Sequence, residues 1–114
     1  MTKPKIPVTK IGSHTVLSLT EPITFQKCAE LEAGIKEVAK ASQKSIIFDC
    51  KGVAFMDSAA LEMLLRLQAN FKDQGCVLKL IGLNALCRDI LTVTRLTNQI
   101  HVYADLKEAT RESL

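Results

Sequence analysis

Tryptophan is absent from this chain and tyrosine occurs once, at Tyr103, so that aromatic residues make up 4% of its 114 positions. Without aromatic side chains interleaved among basic ones there is no platform on which bases could stack, and nucleic-acid recognition loses its main support. Charge of one sign is not in large excess either. Lys and Arg total 15 against 12 acids, and Lys3, Lys5 and Lys10 place part of the +3 balance near the N-terminus, where residues 1–5 are expected to be flexible. No apolar run approaches the roughly 18 residues that span a bilayer. Nor does the opening Met1-Thr2-Lys3-Pro4-Lys5 lead into the apolar stretch of a secretory signal. A cytoplasmic location without membrane insertion is the expectation. Cysteine is present but unpatterned: Cys28, Cys50, Cys76 and Cys87 form no C-x-x-C pair and lie in apolar surroundings. That predicts buried, reduced thiols. His14 and His101 have no neighbouring carboxylate or thiol pattern. No phosphate-cradling glycine loop, nucleophile–base pair or metal-ligand spacing can be drawn, so neither cofactor nor metal is expected and the chain reads as a binding module, not an enzyme.

What the sequence does have is a clear alternation of hydrophobic periods. Residues 6–11 and 14–20 read as two short strands joined at Gly12-Ser13, and Pro22 ends the second because it cannot donate to a ladder. From Phe25, apolar residues recur at Cys28, Leu31, Ile35 and Val38, the three-and-four spacing of an amphipathic helix, with Thr24 as its N-cap. Ala41-Ser42-Gln43-Lys44 closes that helix, and 45–50 is a nearly all-apolar third strand. A second helix begins at Asp57 or Ser58 and stops before Gly75; residues 76–81 form a fourth strand, a third helix runs from about Asn84, 99–103 is a fifth strand, and Asp105 caps a short last helix. The order β-β-α-β-α-β-α-β-α predicts a single α/β domain over residues 1–114. Its short mixed sheet would be mainly parallel with an antiparallel edge supplied by the hairpin, about five strands packed with about four helices.

The junction between the third strand and the second helix is the most informative place. An acid and a hydroxyl, Asp57 and Ser58, stand immediately before a strongly periodic helix, outside the carboxyl end of a strand, where such sheets present functional groups. Only one of the two can be the N-cap, which leaves the other for a different role. A serine there sits at the positive end of a helix macrodipole, where an added anion is tolerated.

The run Phe48-Asp49-Cys50-Lys51-Gly52-Val53-Ala54-Phe55-Met56-Asp57-Ser58-Ala59-Ala60-Leu61 resembles the signature of STAS domains, which include bacterial anti-sigma factor antagonists. In that family a strand ending in Asp is followed by a Val-aromatic-aliphatic approach to Asp-Ser-Ser-Gly-Leu; the matching positions are Asp49, Val53, Phe55, Asp57, Ser58 and Leu61. Thr94-Arg95-Leu96 stands where the family often has a Gly-Leu turn. The resemblance implies a non-enzymatic module in which Ser58 is the phosphoacceptor of a partner-switching pathway, the partner being an anti-sigma factor that is also a serine kinase. The implied partner-binding surface comprises Thr24, Met56, Asp57, Ser58, Ala59, Ala60, Glu62 and Met63. Three of these positions depart from the family: Ala59 replaces a second serine, Ala60 a glycine, and Thr24 an Asp. Those departures suit an alternative within the family, a constitutive cytoplasmic subunit of a lipid-transport ABC system whose partner is the transporter ATPase.

Overall fold

Continuous apolar runs become the central strands, because a strand covered on both faces has no room for alternation. The computed structural model describes residues 6–40 and 43–111, and the basic N-terminal residues 1–5 together with Ala41 and Ser42 lie outside them. Its elements are β1 (Val8–Ile11), β2 (His14–Ser18), α1 (Phe25–Val38), β3 (Ser45–Asp49), α2 (Ser58–Asp73), β4 (Val77–Ile81), α3 (Ala85–Val93), a 3-10 turn (Leu96–Asn98), β5 (His101–Tyr103) and α4 (Leu106–Thr110). The five strands lie side by side in chain order. β1 pairs antiparallel with β2, and the remaining pairings are parallel. The α/β class and the antiparallel edge are as the sequence predicts. The fifth strand is shorter than expected, since the chain before it is taken up by the 3-10 turn.

The two faces of the sheet are covered unequally. Leu17, Ile46, Phe48, Leu78 and Leu80 pack with residues of α1, α2 and α3 in one large core, whereas Val16, Ile47 and Ile81 form a small cluster with Tyr103 and with Ala109 and Leu106 of α4. Phe48 and Phe71 are fully buried side chains of the large core, each contributing about 2 kcal/mol of burial. All four cysteines are buried and free. Burial is the leading cause that raises each thiol above its ordinary value, which keeps them protonated and inert. His14 and Ser45, distant in sequence, are brought side by side by the β2–β3 register and share a buried hydrogen bond of 2.5 Å.

Two backbone positions are constrained, Gly52 at the end of the sheet that carries the functional groups and Arg95 in the connection that enters β5. A Cβ on Gly52 would lie 2.8 Å from the Thr20 Cα and 3.0 Å from the Leu19 carbonyl oxygen, so the loops after β2 and β3 approach as closely as they do because residue 52 has no side chain. At the other position the chain departs from preference: Arg95 has φ 63°, the left-handed region, just before the 3-10 turn. A non-glycine residue there costs about 1–2 kcal/mol, partly offset by the smaller freedom of its unfolded state. Arg95→Gly is therefore expected to raise the melting temperature by about 3 °C in a thermal melt. A lower melting temperature would mean that the Arg95 side chain contributes more than its backbone strain removes.

Candidate partner-binding site

The site is assembled where the loops leaving β2 and β3 are stitched together. Ile23 N–H donates to the Phe55 carbonyl at 3.0 Å and Asp57 N–H to the Ile23 carbonyl at 3.2 Å, forming a parallel bridge between Ile23 and Met56. This brings the start of α1 against the start of α2. Asn84 Nδ2 donates to the Ala54 carbonyl at 3.1 Å, while its Oδ1 accepts from Cys87 N–H at 2.8 Å as the N-cap of α3. Three helix N-termini thus converge on one end of the molecule.

Asp57 occupies the centre of this arrangement. Its Oδ1 accepts from Ala60 N–H at 3.0 Å, which makes it the N-cap of α2. Its Oδ2 accepts from Phe25 N–H, the first amide of α1, at 2.8 Å. One carboxylate caps two helices. Thr24 holds the N-cap position of α1 with extended backbone, but its hydroxyl makes no capping bond; the expected Thr24 cap is replaced by an acid from the other loop. Ionised acceptors hold such amides more strongly than a neutral hydroxyl does. The Phe25 N–H is the foremost of the backbone donors that hold the Asp57 carboxyl below its ordinary value.

With Asp57 as the cap, Ser58 is the residue left over. It is the first helical residue of α2, it is exposed, and its hydroxyl makes no hydrogen bond among the described residues. Glu62, one turn on, is exposed too, while Thr24 and Ala59 are half-buried. The predicted surface needs correction at three positions. Met56, Ala60 and Met63 are 1%, 0% and 0% exposed. Ala60 and Met63 are turned inward by the three-and-four spacing of α2, Met56 lies before that helix in the bridge to Ile23, and none of the three can touch a partner directly. The extra methyl of Ala60 is likewise buried and does not change the outer surface.

Sequence reasoning also missed part of the surface. Phe25 fits the apolar stripe of α1 by spacing, yet it is 77% exposed; Phe55 and Leu86 are 42% and 50% exposed. Each stands within two residues of the hydrogen bonds that hold the loops together, so three large apolar side chains share the end of the molecule that carries Ser58. Exposed apolar groups grouped in this way mark interaction sites. Behind them the first two helices are clamped by Arg66, whose Nε and Nη2 donate to Glu32 at 3.2 and 2.9 Å. These bonds lower the Glu32 carboxyl below its ordinary value.

A protein-family model described as the STAS domain matches residues 5–109. The chain belongs to the STAS domain family. No curated protein sequence matches it. Among solved structures it is similar to an anti-sigma factor antagonist from Mycobacterium paratuberculosis at 20% identity, over 92% of this chain and 89% of that one, with a TM-score of 0.81. It is similar to an anti-sigma-factor antagonist (STAS) domain protein from Planctomyces limnophilus at 23% identity, over 91% and 93% of the two chains, with a TM-score of 0.80. A murine solute carrier 26 family anion transporter matches at 18% identity and a TM-score of 0.76, over 89% of this chain but 18% of the transporter. At these identities the likeness is one of fold. No helix among the described residues is long and apolar enough to cross a membrane.

Proposed function

We propose that this domain is a non-catalytic, cytoplasmic signalling module of the anti-sigma factor antagonist type, switched by phosphorylation of Ser58. The observation that carries the reading is the division of labour at the start of α2: Asp57 takes the capping role, and the neighbouring hydroxyl is left exposed and unbonded on the convergent helix ends. The partner surface would comprise Thr24, Asp57, Ser58, Ala59 and Glu62 with the apolar Phe25, Phe55 and Leu86. The partner would be an anti-sigma factor with serine kinase activity. Magnitudes favour a switch that spares the fold. A phosphoryl group adds about −1.5 to −2 charges, which a helix N-terminus favours by about 0.3–1 kcal/mol, whereas trapping that charge unpaired in an interface costs several kcal/mol.

A second reading within the family is a constitutive subunit of a transport complex, with an ABC ATPase as partner. Similarity to the transporter-borne domain and the alanine at position 59 are its supports. Intact-mass measurement of the protein from its native host, with identification of whatever co-purifies, separates the two. A single phosphoryl group on Ser58 together with a kinase-type ATPase is the expected result. Unmodified protein held by a transporter ATPase would overturn the switch reading. We also expect Phe25→Ser to weaken binding to the co-purified partner by about tenfold while leaving the melting temperature within about 1 °C, since exposed aromatic anchors contribute to interfaces and not to folding. Unchanged affinity would remove Phe25 from the interface.

A further inference from the structure

We propose that Asp57 relays the state of Ser58 to the first turn of α1: a phosphoryl group on Ser58 weakens the bond between Phe25 N–H and Asp57 and loosens the segment that carries the exposed Phe25. The inference rests on the reading that Ser58 is modified, and it adds a mechanism to it. In the modification, a kinase transfers the γ-phosphoryl group of a nucleoside triphosphate. The bond from the Ser58 Oγ to phosphorus forms as the bond from that phosphorus to the leaving diphosphate breaks, and the hydroxyl proton passes to a base on the kinase.

The relay follows from how the carboxylate is shared. Asp57 spends one oxygen on its own helix, at Ala60 N–H, and the other on a helix 32 residues away in sequence, at Phe25 N–H. A phosphoryl group one residue along acts on it in two ways. Its negative charge repels the carboxylate, and its oxygens compete with Asp57 for the first-turn amides of α2 that have no partner within the helix, Ala60 N–H among them. The local bond can follow a displaced Asp57, because both partners belong to the start of α2. The Phe25 bond has less room to follow, because its donor belongs to a different helix. Thr24 makes no capping bond to take over. The backbone bridge between Ile23 and Met56 anchors the chain up to Ile23, so the disturbance falls mainly on the residues after it. Phe25, 77% exposed, is the first of them with a large side chain. Phosphorylation thereby alters the shape of the apolar surface as well as its charge.

The test uses the full chain, labelled with nitrogen-15, made once with serine and once with phosphoserine inserted at position 58 during translation. The reporter is the Phe25 amide. We expect its proton resonance to move upfield and its exchange with solvent to quicken about tenfold, the factor that accompanies loss of one hydrogen bond. In an Asp57→Asn background the resonance should already lie upfield, and phosphoserine should add no further change. A Phe25 amide unmoved by phosphoserine in the otherwise unaltered chain overturns the relay, as does an equal response in Asp57→Asn. Partner affinity, measured on the same samples, keeps the two ideas apart. An unmoved amide with reduced affinity leaves a switch that works by charge alone. A moved amide with unreduced affinity leaves the relay standing and removes the switch.

Discussion

Replacing Asp57 with alanine should lower the melting temperature by about 8 °C, while Thr24→Ala should lower it by no more than about 1 °C. The contrast is the point of the experiment. Position 24 is the N-cap of a 14-residue helix, and a capping threonine would ordinarily be the residue whose loss is felt. Here the first amide of that helix is held by Asp57 instead, and Asp57 holds the next helix too. Thermal melts of the two variants at one pH settle it: equal shifts would show that the Thr24 hydroxyl caps α1 in solution.

The same pair of bonds fixes the sign of a pH dependence. Backbone amides lower the Asp57 carboxyl below its ordinary value, the Phe25 N–H foremost. A carboxylate whose folded value is depressed contributes its full stability above its unfolded value, and that contribution is lost as pH falls through the folded one. The gap in melting temperature between the parent and Asp57→Ala should accordingly be widest near neutral pH and narrow below about pH 4. A gap that stays constant down to about pH 3 would mean that the carboxylate's charge contributes nothing.

The second large effect is on binding. Ser58→Glu should weaken association with the native partner by about tenfold, and phosphoserine by about a hundredfold or more, while Ser58→Ala should bind as the parent does. The ranking reflects charge: one carboxylate carries less than a phosphoryl group. All three should melt within a few degrees of the parent, because α2 is capped by the neighbouring Asp57. The measurement is a titration of each form against the partner, with the melt as folding control. Equal affinities would end the switch reading in favour of the constitutive subunit. A collapse in the melt of Ser58→Glu alone would make Ser58 a structural residue.

The regular elements were legible in the sequence because each follows from a local period. The continuous run at Ile46, Ile47 and Phe48 could only be a covered strand, and the spacing after Ser58 could only be a helix with one buried face. What was not legible depends on residues far apart. Capping of α1 by Asp57 spans 32 positions, so no spacing rule encodes it, and Thr24 was the reasonable local choice. The pairing of His14 with Ser45 arises from strand register alone. Phe25 satisfied the apolar stripe of its helix, yet that stripe runs past the edge of the core, and its first member is left in solvent. Met56 and Met63 stand beside Ser58 in sequence, yet their side chains belong to the interior. Exposed Phe, Phe and Leu near the starts of three different helices carry no periodic signal.

The stitching of the two loops has a consequence for recombining this domain with its relatives. Ile23 and Met56 are joined by a parallel backbone bridge, and Gly52 lets the same two segments touch at Thr20. Neither segment has a conformation of its own to carry into another host. Grafting the stretch around residues 20–25 alone would import a backbone whose donors and acceptors are matched to the wrong neighbour, and so would grafting 52–58 alone. The two form one transplantable unit, divided in sequence by a helix and a strand, and specificity would be exchanged between relatives by moving both together.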